Sequence, residues 1–342
     1  MSVFTRFDRA NDVVENQRVK ISSGIWSGGS GTLTSFFTSS TQAATGSFLA
    51  VRHKNPDTDS TSEVQFDIGY AHFNGSGSQG NTTKLTIGAR ESAANYRQFA
   101  NVLLPPATEK FTFTGAPSAS DEFYFIAFNR ARMREKVDPG NWELVVSASS
   151  AGTPHKIHLI DDSGATNVAT VNEGGRVFNV VSGSIASGTG VVDTTAATQP
   201  GGSYGLFYPD LGIILLHPEI LDITGSFATG RNSDAFANNP QKLFNALVGG
   251  QKFQVRREEE ISSTNFFCRV TNKNYNFSAN PTFFTGSDGA FTQQTFFKDP
   301  KTFITQVGLY NDENELLAVA KLSKPILKSY SREAIIKVKL DF

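Results

Sequence analysis

Residues 64 to 73 read VQFDIGYAHF, which puts Val64, Phe66, Ile68, Tyr70 and His72 on one side of an extended chain. Gln65, Asp67, Gly69, Ala71 and Phe73 fall on the other. That period of two is the pattern of a β-strand covered on one face. The same pattern recurs outward in both directions, over Thr32 to Thr38, Phe48 to Lys54, Phe111 to Thr114, Phe123 to Arg130 and Trp142 to Ala148. It continues over Lys156 to Ile160, Arg176 to Val181 and Ile213 to Leu216. Turn-forming pieces separate these runs: SGGSG (27 to 31), NPDTDSTS (55 to 62), NGSGSQGN (74 to 81), DPGN (138 to 141) and DDSG (161 to 164). Short strands at this spacing predict an all-β fold of mostly antiparallel, sandwich-like sheets.

Two segments depart from the alternation. Arg90 to Leu104 carries Tyr96, Phe99 and Leu103 at helical spacing before the stop at Pro105-Pro106. Asn239-Pro240, QKLFNALV and Gly249-Gly250 supply a capping Asn, a Pro at the first helical position and a glycine end. Gly183 to Gly205 is Gly, Ser, Thr and Ala with almost no large apolar residue, and reads as a long surface loop. The expected division is therefore a sandwich-like domain over 1–200 and a β-rich assembly domain over 201–342, with a helix near 240–248 and a terminal hairpin.

Composition narrows the function classes. Thirty-one Lys and Arg balance 32 Asp and Glu, and charged residues are 18% of the 342. No whole-protein field of that size steers a chain to nucleic acid or to an anionic membrane. No stretch approaches the roughly 20 apolar residues of a membrane helix. The start, MSVFTRFDRANDVVENQ, is charged from Arg6 onward and lacks a signal peptide's apolar stretch. A single cysteine, Cys268, excludes an internal disulfide framework.

Candidate chemistry is sparse. His155 and His158 look like an H-x-x-H pair, but on a strand residues three apart face opposite ways, and His53, His72 and His217 lie far off in sequence. Cys268, in FFCRV, reads as a small buried hydrophobe, and no G-x-S-x-G elbow is present. Asp161-Asp162 reads as a hairpin turn, and Glu258 to Glu260 as a solvated edge. The glycine-rich pieces lack phosphate-loop spacing. NRARMREK (129 to 136) and the lysines from Lys321 to Lys339 are the local basic concentrations. No catalytic, metal-binding or cofactor-binding residue is assigned, and no enzyme activity is expected.

Beyond Glu258 the composition shifts to Phe and Tyr among Asn, Ser and Thr. Aromatics at that density anchor subunits or fill a core. Read as an interface, this part offers Phe266, Phe267, Tyr275, Phe277, Phe283 and Phe284. The closing strands add Leu309, Tyr310, Leu316, Leu317 and Phe342. The last 42 residues predict strand, a turn at Asn311 to Asn314, strand, a break at Pro325, and a final alternating strand from Ala334 to Phe342.

Val307-Gly308-Leu309-Tyr310, the acidic loop Asn311 to Asn314, Glu315 to Ala320 and Lys324-Pro325 resemble the amino-terminal attachment region of contractile-phage tail-collar fibre proteins. That region opens a long fibre in its own family, whereas here it ends the chain. FTRFDRANDVVENQ, FNRARMREKVDPGNWELV, GLFYPDLGIILLHPE and VGLYNDENELLAVAKLSKP give the whole chain a resemblance to structural proteins of T-even-like myophages of marine cyanobacteria. The resemblance implies a virion component of the tail baseplate or fibre attachment region, assembled in the host cytoplasm. Its partners would be other virion proteins and copies of itself, without nucleic acid or membrane. The alternatives are a capsid decoration protein, or a module binding host-surface glycan with Trp26 and Trp142 as stacking platforms.

Overall fold

The computed structural model describes residues 4–40, 48–77, 90–150, 153–165, 170–195, 202–225, 239–276 and 281–341. It is mostly β, 50% strand against 18% helix, in large antiparallel sheets, which makes the fold all-β. The strands are β1 (Val13–Gly24), β2 (Thr32–Leu33), β3 (Phe48–Arg52), β4 (Val64–His72), β5 (Glu122–Phe128) and β6 (Lys136–Ser150). They continue as β7 (Thr153–Asp161), β8 (Thr170–Asn172), β9 (Gly175–Ala186), β10 (Thr189–Thr194), β11 (Gly205–Tyr208) and β12 (Ile213–Leu216). The last six are β13 (Lys252–Val270), β14 (Phe284–Thr285), β15 (Ala290–Phe291), β16 (Thr302–Tyr310), β17 (Leu316–Lys328) and β18 (Ala334–Asp341).

The chain forms two compact units, Ile21–Glu259 and Met1–Lys20 with Glu260–Phe342. A boundary near residue 200 does not separate them: β10 and β11, on either side of it, both pair with β9. The expected loop from Gly183 is instead largely a hairpin. Ser187 (φ 52°) and Gly188 (φ 81°) supply the two positive φ angles of a tight turn that pairs Ala186 with Thr189. The stretch lacks an apolar signal, but a ladder needs only backbone groups.

In the Ile21–Glu259 unit the sheet runs β13–β6–β7–β9–β11–β12–β5–β4–β3. It then returns on itself. Leu33 of β2 pairs with Phe253 of β13, and Phe37 bridges to Arg52 of β3. The stretch Thr32 to Thr38, expected as one strand, is thus a two-residue ladder at one end and a single bridge at the other. Inside the curl, Trp26 lies 5.6 Å from Phe66 and 5.2 Å from Phe253, and its indole N–H donates to the Phe253 carbonyl at 2.9 Å. Trp142 packs 5.2 Å from Phe207 in the same core.

The alternation around Phe66 is correct, but these strands are covered on both faces. Tyr124, Ile126 and Phe128 of β5 join the core inside the curl with Phe66, Ile68 and Tyr70. Phe123 and Phe125 point the other way, into a second core with Ala71, Leu215 and Tyr208. The helix Glu91–Leu103 caps that second core with Tyr96 and Leu103. The helix Asn239–Gly250 contributes Leu243, Phe244 and Leu247 to the first. Both helices occupy the predicted segments. At the end of the latter, a Cβ on Gly250 would sit 1.9 Å from the Val145 carbonyl oxygen, so glycine is what lets the helix meet β6. The expected strand at Phe111 to Thr114 reduces to a bridge between Phe111 and Ser120.

Buried polar groups fix the rest. DPGN, expected as a turn, bulges within β6: the register jumps from Val255↔Trp142 to Arg257↔Val137. The Gly140 N–H, at φ 76°, donates to both Asp161 oxygens at 2.8 and 3.0 Å. Asp162 accepts from the backbone and side-chain amides of Asn179 at 2.9 and 2.7 Å, from within a 3-10 turn rather than a hairpin. Both carboxylates therefore pin backbone. Glu258 is 4% exposed and 3.4 Å from Lys136, and Glu259 pairs with Arg134 and Arg257, so this part of the expected solvated edge is turned inward.

Glu143 is the most deeply held carboxylate of this kind, with its side chain 1% exposed. It accepts from Lys252 Nζ at 2.8 Å, from the Ile185 N–H at 3.0 Å, and bonds His158 Nδ1 at 2.8 Å. Burial pushes its pKa up, but these partners outweigh burial and hold it below the ordinary 4.5. A carboxylate with a depressed folded pKa contributes stability above its unfolded value and loses it as pH falls through the folded one. Glu143→Ala should lower unfolding stability by about 3 kcal/mol at pH 7, with a smaller deficit below pH ~4, read by urea denaturation at both pH values.

Candidate interaction surface

The unit made by Met1–Lys20 and Glu260–Phe342 is built differently. β13 pairs with β18 from Ser263↔Asp341 to Val270↔Ala334, and β16 pairs with β17 as a separate two-stranded sheet. The alternation expected of the last strand holds. Ile336 and Val338 are buried, while Ile335, Lys337, Lys339 and Asp341 face out. Leu309 joins Ile336 and Val338, with Phe7, Phe266, Ile304, Val307, Leu322 and Leu340 partly covered around them. Among the described residues, Val270, Leu309, Ile336 and Val338 are the buried apolar residues of this unit. Four such side chains are few for about a hundred residues. Fixing each residue's backbone costs about 1–2 kcal/mol, whereas a buried Leu or Val returns about 1.5–3. An isolated two-stranded sheet is itself marginal in water.

Pro325 does not break β17. The register passes from Ile304↔Ile326 to Gln306↔Lys321, leaving Leu322 to Pro325 against Thr305, so the missing proline N–H falls where the ladder is interrupted. At the other end, Leu309 pairs with Ala318 but Tyr310 with Leu316, which leaves Leu317 as the extra residue of a bulge. The turn is organised by Asn311, whose side-chain oxygen accepts from the N–H groups of Glu313 (3.0 Å) and Glu315 (2.7 Å). Asn314 completes it at φ 67°. A Cβ on Gly308 would meet the Tyr310 ring at 2.9 Å and Leu316 at 3.3 Å, so both side chains lie over that glycine.

The outcome is an apolar surface beside an acidic turn. Tyr310, Leu316, Leu317 and Val319 are 43%, 52%, 67% and 56% exposed, and Phe4 packs its ring 4.7 Å from Tyr310. Asp312, Glu313 and Glu315 rim it, with Arg6 bonded to Asp312 at 2.9 Å. That pair is more than 80% exposed on both sides and adds little by itself. The outward side of β18 carries Ile335, 67% exposed, beside Lys337 and Lys339.

The expected interface residues separate into groups. Tyr310, Leu316 and Leu317 come together on the surface just described. Leu309 is buried at 6% exposure in the unit's own core, and Phe266 is partly buried beside it, 5.6 Å from Phe7. Phe267 is half-buried opposite Lys337. Phe283 and Phe284 form a small cluster of their own with Phe291, and Phe283 also stacks on Phe296. Tyr275 stands apart at φ 57°, with its hydroxyl 2.7 Å from Thr5 Oγ1. Phe277 and Phe342 lie outside the described residues. Val319, Phe303 and Ile335 are exposed apolar residues that aromatic density does not pick out, although the alternation of β17 and β18 places Val319 and Ile335.

Two polar features complete this unit. Lys328, 0% exposed, donates to the carbonyls of Asn272 (3.0 Å) and Ser329 (2.8 Å) and to Asn276 Oδ1 (3.0 Å). Three acceptors satisfy its three donors and tie the stretch after β13 to the end of β17. Cys268 packs half-buried against the apolar cluster, where burial and then the Asp12 carboxylate push its thiol above the ordinary value of 9.0.

The Ile21–Glu259 unit contributes one open cleft of about 490 Å³, lined by His155, Lys156, Ile157, His158, Ser182, Ser184, Asp193 and Tyr204. It opens where β7 runs beyond its ladder with β9, which ends at Leu159↔Ser182. Both histidines reach it despite their opposite parity, because this part of β7 is an unpaired edge. Among the described residues no group of three or more His, Cys, Asp or Glu could hold a metal ion. Trp26 and Trp142, expected as sugar-stacking platforms, are 2% and 0% exposed and belong to the core. No helix among the described residues is long and apolar enough to cross a membrane.

A thiol held in its neutral form reacts slowly. Cys268 should therefore label with a disulfide reagent at pH 7.5 at least about tenfold more slowly than free cysteine, and match it in denaturant. Equal rates in the folded protein would refute the packing described here. No family model, curated protein or solved structure matches this chain.

Proposed function

We propose that this chain is a non-enzymatic structural component of a bacteriophage virion, in the tail baseplate or fibre attachment region, working by packing against neighbouring subunits. The observation that carries the packing role is the imbalance in the Met1–Lys20 and Glu260–Phe342 unit. Four apolar side chains are buried there, while Tyr310, Leu316, Leu317, Val319 and Ile335 stand 43% to 67% exposed. A surface of that kind gains free energy when another protein covers it.

The virion assignment rests on the sequence resemblance of the terminal hairpin and of the segments quoted with it. The exposed hairpin supports it in one respect, since the segment that carries the resemblance is also the one left uncovered.

The test is compositional. Phage particles purified through a density gradient and washed in high salt should contain the chain at a fixed copy number. Antibody labelling should place it on the tail. Label confined to the head would replace the tail position with capsid decoration, and absence from washed particles would overturn the virion role.

A further inference from the structure

We propose that a second copy of this chain covers the outward face of the β16–β17 hairpin, docking the lysine-bearing side of its own β17 and β18 against the first copy's acidic turn. The inference rests on the packing role and names the partner. Its starting point is that both halves of a complementary contact lie on the same unit. One half is Tyr310, Leu316, Leu317 and Val319 next to Glu313 and Glu315. The other is Ile335, 67% exposed, with Lys337 on the outward side of β18, and Lys321 and Lys324 exposed on β17.

Neither half is neutralised within the chain. Among the described residues Lys321, Lys324 and Lys337 make no ion pair. Glu313 makes none either, and Glu315 only accepts from Asn311 Nδ2 at 2.9 Å. Asp312 and Lys339 are different, being bonded to Arg6 and Asp341. A surface that bears an acidic apolar end and a basic apolar side, both without partners, is complementary to another copy of itself in head-to-tail fashion. Such a contact joins different patches of the two copies, so it closes into a ring or continues as a filament according to the rotation between them. An unrelated partner would need only one of the halves.

Docking would also complete the unit. The inward sides of β16 and β17 already rest on Leu309, Ile336 and Val338. Covering Leu317 and Val319 on the outward side gives the hairpin a second buried face, as β4 and β5 have in the other unit. Leu317 suits an anchoring position, since the bulge against Tyr310 pushes it out of the ladder.

Sedimentation of the full chain across a concentration series tests this. The wild type should associate in a concentration-dependent manner that weakens with salt. Leu317→Asp should weaken association about thirty-fold, the loss typical of an anchoring side chain, with unchanged circular dichroism. Glu313→Lys with Glu315→Lys, and separately Lys324→Glu with Lys337→Glu, should each weaken it, and all four substitutions together should restore it. A wild type that stays monomeric overturns the inference, as does association indifferent to Leu317→Asp or charge reversals that fail to restore binding when combined. A monomer still found in washed particles leaves the packing role standing, whereas an associating chain absent from particles removes the virion role and leaves this inference intact.

Discussion

The meeting of Trp26, Phe66 and Phe253 is the contact on which the larger unit depends. Phe66 on β4 and Phe253 on β13 are seven steps apart in strand order, yet their rings lie 5.3 Å apart at right angles. A flat sheet could not bring them together. The sheet has to curl until its two ends share one core, and Leu33 and Phe37 then hydrogen-bond the gap shut. Closure of this kind removes open edges and gives each strand an interior side. The Trp26 indole N–H would be costly to bury without a partner, and the Phe253 carbonyl supplies one.

Because the outside of that curl is also clad, by the helix Glu91–Leu103 and its aromatic neighbours, the Ile21–Glu259 unit buries both faces of β4, β5 and β12. Its polar interior is satisfied with equal economy: Asp161 and Asp162 hold a bulge and a neighbouring strand, and Glu143 gathers a lysine, a histidine and a backbone amide. These carboxylates are committed to architecture. The smaller unit has the reverse balance, with ladders that form readily but little to bury against them. A fully formed hairpin whose outward side is apolar gains stability from outside the chain, and this asymmetry between the units underlies the packing role proposed for the protein.

How much was legible in the sequence depends on the range of the interaction that decides each feature. The period-two runs and the two helical segments rest on neighbours within a few residues, and those elements formed where the pattern put them. The order of residues 334–341 was equally readable, down to which side chains face inward. Local chemistry misled where a distant group intervenes. DPGN and DDSG each look like independent turns, but Gly140 and Asp161 are bonded to each other, and the first becomes a bulge within a strand. Gly183 to Thr194 lacks apolar residues and nonetheless pairs, since Ser187-Gly188 sets the turn. Pro325 suggests a break, but a register shift absorbs it.

For the candidate surface the same limit applies. Aromatic density beyond Glu258 marked a segment rich in contact-forming side chains without telling core from surface: Leu309 and Phe266 turned in, Tyr310 and Leu317 out. Sequence by itself determined the all-β class, the positions of the long helices and the face each strand residue takes, because alternation and capping are properties of adjacent residues. Only the tertiary structure decided that the sheet closes, that both faces of β4 and β5 are buried, that Trp26 and Trp142 are core residues, and that the terminal hairpin is left uncovered. Each of those is settled by which strand lies opposite, often more than a hundred residues away, and no local pattern encodes that partner.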